Sequence, residues 1–277
     1  MSRPHNPLPG LSLSLGVTWV WLGLLVVVPI AALIAKTAGL SAGQWFDILS
    51  DPRVISSVRL SLGASALAAL IDGVLGLLLA WVLVRYPFPG RSLADAAVDL
   101  PFALPTAVAG IALTALYAYD GWLGRILQGQ LGLKVAFAPA GIVLALTFVG
   151  LPFVVRTLQP ILKGLDPELE QAAVCLGATP AQTFWRVTLP QLRPALLTGT
   201  TMAFARAVGE YGSVVFISGN LPGKTEIAPL LIVTRLEQYD YLGATAIACW
   251  LLLLATTVLV LVNWLQNRRN SLAGQHV

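Results

Sequence analysis

Charge is what this sequence has least of. Only 11% of its 277 residues are Asp, Glu, Lys or Arg, and 57% are hydrophobic. A soluble domain carries about 25% charged residues, so a membrane chain is expected instead. Histidine is confined to His5 and His276, both in the tails. No Ser/His/Asp or paired-carboxylate arrangement is visible, so hydrolytic or histidine-dependent chemistry is not expected. Cysteine is limited to Cys175 and Cys249, in no C-x-x-C or Cys/His spacing. That spacing points to neither a disulfide framework nor a metal site, and the two read as free thiols. The net charge of +4 sets topology in such a chain rather than binding nucleic acid.

What the chain has is long apolar runs. A membrane helix needs about 20 apolar residues, and six candidates are present: about Leu13 to Ala35, Val58 to Val84, Ala94 to Tyr117, Ala140 to Leu162, Pro194 to Ile217 and Leu242 to Leu265. The expected fold is all-α and transmembrane, one membrane domain over residues 1–277. The first run exceeds the about 7–15 residues of a signal-peptide core and no A-x-A site follows it, so it reads as an uncleaved anchor. Pro101 and Pro105 predict a kink in the third run. Short-loop cations favour one side: Arg3, Arg85, Arg91, Arg156, Lys163, Arg186, Arg193, Arg268 and Arg269, against Lys36, Arg53, Arg59, Arg125, Lys134, Lys224 and Arg235. That bias places both termini in the cytoplasm. An external loop is expected near Asp120 to Ala138.

One polar segment interrupts the pattern: "DPELEQAAVCLGATPAQTFWRVTLP", Asp166 to Pro190. Asp166 suits an N-cap and Pro167 the first helical position. Leu169, Ala172, Ala173 and Leu176 fall at i, i+3, i+4 and i+7, an apolar stripe. Gly177 fits the left-handed C′ position. Thr179 and Gln182 form a capping box around Pro180, and Pro190 is expected to end the second helix. Two helices of about ten residues do not hold alone in water. They lie either on lipid as an amphipathic hairpin or against a cytoplasmic protein, with Phe184 and Trp185 as anchors. The first helix carries Glu168, Glu170 and Gln171 and no basic residue, which favours the protein partner.

This segment resembles the EAA loop in the membrane subunits of binding-protein-dependent ABC importers. Gln171-Ala172-Ala173, Gly177, Val187, Leu189 and Pro190 keep the spacing of that loop, with Gln171 where its glutamate usually stands and Glu170 just before it. The stretches "VRYPFPGRSLADAAVDLPFALPTAVAGIAL", "FARAVGEYGSVVFISGNLPGKTEIAPLLI" and "RLEQYDYLGATAIA" are similar to sulfate/thiosulfate permeases of the T type. Molybdate permeases are similar through the same regions. The resemblance implies a six-span permease with a cytoplasmic two-helix coupling element at 166–190. It implies alternating access driven by two copies of an ATPase, which would bind ATP and Mg in place of this chain. A second homologous permease subunit and an external sulfate/thiosulfate-binding protein complete the implied assembly, in a bacterial cytoplasmic (inner) membrane. The ATPase would meet Glu170, Gln171, Ala172, Ala173, Gly177, Phe184, Trp185 and Pro190. A passive anion channel or proton-coupled carrier is the rival class, and neither has a motor to dock.

Two further features are legible. "SGNLPGKTE" ends like a phosphate-binding loop in Gly223-Lys224-Thr225, but Ser218 stands where the first glycine is required. A turn at Pro222-Gly223 is the expectation. In the fifth run, Arg206 and Glu210 stand four residues apart. A charge at mid-membrane costs about 2.5–3.5 kcal/mol, and a solvated i,i+4 pair returns only about 0.2–0.5 kcal/mol. Partners across a helix interface or cavity are therefore expected. With Gly209, Tyr211 and Gly212 the pair marks a candidate gate. Asp72 is expected to face the bundle, and Asp99 to lie near the membrane interface.

Overall fold

The computed structural model describes residues 11–273. Arg3, His5 and His276 lie outside the described residues, as do the side chains of Arg268 and Arg269. Every regular element among the described residues is helical.

The chain opens on α1 (Leu11–Leu22), a π turn (Gly23–Val27) and α2 (Val28–Thr37), which run on as one rod. Ser41 then starts α3 (Ala42–Ser50) with a complete capping box to Gln44. Asp51 caps α4 (Pro52–Arg85) by accepting the Arg53 N–H at 2.8 Å. At 34 residues α4 is about 50 Å long, well beyond the about 30 Å hydrocarbon core of a bilayer. Its far end, at Arg85, therefore projects towards the polar 166–190 segment. One face of α4 buries small residues, among them Ser57, Ser61, Ala68, Gly73 and Gly76, which lets neighbouring backbones come close.

The third expected span is not one helix. It breaks into α5 (Arg91–Val98), α6 (Leu100–Ala103) and α7 (Thr106–Tyr117). Leu104, preceding Pro105, is forced to an extended ψ of 135°. The following α8 (Trp122–Gln130) occupies the expected external loop. The fourth span is continuous: α9 (Pro139–Gly164) runs 26 residues despite Pro152 and Pro160. After α10 (Pro167–Cys175) and α11 (Pro180–Thr183) comes a second π turn (Phe184–Thr188), which continues without a break into α12 (Leu189–Val208). The fifth expected span then stops at Gly209 and resumes as α13 (Gly212–Ser218). The turn at Leu221–Thr225 leads to α14 (Ala228–Glu237) and α15 (Tyr241–Ala273).

Four described helices are thus long and apolar enough to cross a membrane, at Leu13–Thr37, Pro52–Arg85, Pro139–Gly164 and Tyr241–Trp264. The expected third and fifth spans are both interrupted, and they meet each other. Gly110 of α7 packs on the Ser213 backbone of α13, and Gly212 packs on Thr106. At the centre α4, α9 and α12 form a tight trio. A Cβ on Gly76 would sit 2.6 Å from Val154, and one on Gly73 2.8 Å from Thr200.

Candidate coupling surface and transmembrane pathway

The 166–190 segment is built by local rules as far as Gly177. Asp166 accepts the Glu168 N–H at 2.9 Å, capping α10. Gly177 takes φ +82°, with Ala178 N–H donating to Ala173 O and Gly177 N–H to Val174 O, the paired bonds of a Schellman end. Thr179 and Gln182 make the expected reciprocal cap, at 2.8 and 3.3 Å. Beyond that the expectation of a separate second helix fails. Pro190 does not end it, because the chain stays helical through the π turn. Leu189 N–H reaches back to Phe184 O, five residues away. The widened turn makes room for the ring of Pro190 and absorbs its missing N–H. Val28, just before Pro29, makes the same five-residue bond to Gly23.

The expected contact residues point in different directions. Gln171 and Ala172 are exposed and Ala173 is half-buried. Leu176 is 89% exposed and Trp185 63%, so apolar surface is left uncovered. Phe184 faces inward: its ring stands edge-on to Trp81 of α4 at 5.2 Å. Glu170 also faces inward. Both its oxygens accept from Arg85 at 2.6 and 3.1 Å, and Thr188 Oγ1 donates to it at 2.9 Å. The Arg85 guanidinium lies 5.1 Å from the Trp81 ring centre. A cleft of about 640 Å³ opens here, lined by Trp81, Gln171, Val174, Cys175, Thr183 and Phe184 among others. Nothing in the sequence pointed to Arg85, which lies 85 residues from Glu170 along the chain.

Arg206 and Glu210 pair with each other. The sequence predicts partners across a helix interface or a cavity; Arg206 pairs with its own neighbour Glu210, and of the two Glu210 alone reaches a further helix, at Ser213 of α13. The break at Gly209 places Glu210, 2% exposed, at the start of α13. Its Oε1 accepts the Ser213 N–H at 2.9 Å and the Ser213 hydroxyl at 3.0 Å. One carboxylate thus joins the end of α12 to the start of α13 and meets the positive end of the α13 dipole. Gly209 and Tyr211 are exposed beside it. Asp72 is buried in the trio, as expected, against Gly150 of α9, and its Oδ1 has no hydrogen-bond partner.

Three ion-pair groups stood outside the sequence reading. Arg156 of α9 donates to both oxygens of Asp99, at 2.8 and 2.6 Å, and to Asp95 at 2.7 Å. That hub ties α5 and the α6 start to α9, and it gives Asp99 a partner. At the other end Arg53 pairs with buried Glu226 through two 2.7 Å bonds. Arg235 bridges Asp51 and Asp240 at 2.8 and 3.0 Å. The Leu221–Thr225 turn is compact, with Thr225 Oγ1 accepting the Leu221 N–H at 3.0 Å.

Two interrupted spans beside a tight trio, with α10 left exposed at one end, are features that membrane transporters use. The chain belongs to the family described as binding-protein-dependent transport system inner membrane component, whose model matches residues 73–271. It is 50% identical, over 93% of each chain, to the probable sulfate transport system permease protein cysT of Nephroselmis olivacea. It is 45% identical, over 94% of each, to the sulfate transport system permease protein CysT of Salmonella typhimurium. Among solved structures it is similar to a chain of a bacterial alginate ABC transporter in complex with alginate pentasaccharide-bound periplasmic protein, with TM-score 0.77 and 18% identity, covering 93% of this chain and 94% of that one. At that identity the likeness speaks for the fold alone.

Proposed function

We propose that this chain is a membrane-spanning permease subunit of an ATP-driven importer that carries sulfate, with thiosulfate sharing the route. The observation that carries this reading is identity of 44–50% with proteins named sulfate transport system permeases, over most of the chain. The subunit is not itself the hydrolysing one. Two copies of an ATPase hold ATP and Mg and dock on α10, the Gly177 turn and Trp185. A second homologous permease subunit completes the pathway, and an external sulfate/thiosulfate-binding protein delivers the anion. The chain sits in the cytoplasmic membrane with both termini inside.

Alternating access follows from the same parts. Closure of the ATPases moves α10 and the Phe184–Thr188 turn, and the unbroken run into α12 carries that motion to the Arg206–Glu210 joint. Arg206, beside the break in the fifth expected span, is already paired with Glu210. Full desolvation of a doubly charged anion needs many hydrogen-bond donors. The route is therefore wet and weakly selective, and selectivity rests with the binding protein. The test is uptake of labelled sulfate in cells lacking this chain, with and without its return. Restored sulfate uptake is expected. Restored molybdate accumulation with unchanged sulfate uptake would overturn the substrate and leave the importer architecture standing. Uptake independent of the ATPase would favour a passive channel or proton-coupled carrier.

A further inference from the structure

We propose that Glu170 is a positioning residue of the coupling element: with Arg85 and Thr188 it clamps α10 to the end of α4, so that α4 moves with α10. This rests on the reading of 166–190 as the motor-docking segment and deepens it. α10 is joined covalently to the membrane core at both ends, directly to α9 through Leu165–Asp166 and through the Gly177 turn to α12. The clamp adds a non-covalent route to a third helix, α4.

The need for it follows from α10 itself. The helix has nine residues and buries none of them. Helices so short are marginal without packing, and no apolar face holds this one against the bundle. Beyond its local contacts with α11 and the π turn, its tie to α4 is the Glu170 carboxylate. Arg85 meets it with two parallel N–H bonds, and a planar fork fixes direction as well as distance. Thr188 closes the ring from the π turn, and Phe184 on Trp81 adds a contact one turn back along α4 from Arg85. The Arg85 and Glu170 side chains are only 27% and 25% exposed, so water competes less for them than for a surface pair.

The Arg85 fork also has a donor to spare. Its Nε is buried and has no partner, while Nη1 and Nη2 hold Glu170. A carboxylate sliding along the fork exchanges the Nη1/Nη2 pair for Nε/Nη2 without losing a bond. The clamp therefore tolerates a shift of α10 and still drags α4. From there motion reaches α9 and α12 through the close contacts at Gly73, Gly76 and Gly150.

The test uses the complete importer in cells. Glu170→Gln and Arg85→Gln are expected to keep the ATPase bound on co-purification, while solute taken up per ATP hydrolysed falls about tenfold, the factor expected for a lost charge-assisted pair. The exchange Arg85→Glu with Glu170→Arg is expected to recover most of it; the ratio of uptake to ATP hydrolysed is the readout that a merely structural role would not move. If Arg85→Gln fails to accumulate, Arg85→Lys keeps the charge without the fork and is expected to uncouple likewise. Unchanged uptake per ATP in Glu170→Gln overturns the clamp and leaves the docking reading intact. Lost ATPase binding in Glu170→Gln, unrecovered by the exchange, also overturns it, because Glu170 would then be a motor contact. Failure of the parent chain to co-purify with an ATPase would instead remove the docking reading on which the clamp rests.

Discussion

Phe184 and Trp185 are neighbours in sequence with opposite duties in the structure. Phe184 stands edge-on to Trp81 and also meets Trp185 at 5.4 Å, while Trp185 is 63% exposed. Trp185→Ala is therefore expected to weaken ATPase co-purification by about 2 kcal/mol or more, as an interface anchor does. Phe184→Ala is expected to lower the chain's thermal stability first. Equal loss of ATPase binding from both would make the pair a joint anchor. Gly177 is a sharper case. A side chain at φ +82° costs about 1–2 kcal/mol, although nothing crowds the position. Gly177→Val is expected to insert normally and to lose uptake, measured at matched expression. Normal uptake would sink the role of this turn in coupling. For Arg206 the carboxylate it leaves behind decides. Arg206→Gln strands the buried Glu210 charge; because Arg206 is itself 36% exposed and Ser213 gives Glu210 two bonds, the cost is expected to stay below the about 3–5 kcal/mol of a fully buried broken pair. The double change Arg206→Gln with Glu210→Gln is expected to accumulate better than the single one yet to transport poorly. Full transport by the double variant would reject a gating role.

Prolines separate what the sequence could tell about the elements from what it could not. The α10 boundaries were legible because each signal acts within four residues: Asp166 with Glu168, Thr179 with Gln182, Gly177 with Val174 and Ala178. Pro190 was ambiguous. The same residue suits a helix end or a first turn, and only the π turn before it selects continuation. The interruption at Gly209 was equally hidden, since it depends on Glu210 capping the next helix. Ion pairs such as Arg85–Glu170 and Arg53–Glu226 join residues 85 and 173 positions apart, beyond any local pattern. The π turn makes its own prediction. Pro190→Ala supplies the missing N–H and lets the turn tighten to α geometry, which rotates the preceding segment by about 100° and carries Thr188 away from Glu170. Thermal stability is expected to rise by well under the ~3 kcal/mol that an unrelieved helix-interior proline costs, since the π turn already accommodates the ring, while uptake falls. A variant that gains stability and keeps full uptake would show the π turn to be dispensable.

At the scale of the molecule, charge segregates along the long axis. Arg85, Arg156 and the 166–190 segment gather at one end, while Arg53, Glu226, Arg235 and Asp51 close the other. The proposed orientation puts the first end in the cytoplasm, and the two native cysteines allow a test without rebuilding the protein. Cys175 is exposed on α10 beside the cleft, and Cys249 is half-buried on α15 among apolar residues. With Cys249→Ser as background, Cys175 is the one thiol left in the chain. A membrane-impermeant maleimide is expected to label it in inside-out vesicles and not in intact cells. Labelling from outside would invert the orientation. Docking adds a second readout on the same thiol. An ATPase seated over α10 covers the cleft that Cys175 lines, so vesicles stripped of ATPase should react quickly and slow again when it is restored. Labelling that ignores the restored ATPase would move the docking surface off α10 and leave Trp185 without its role as anchor.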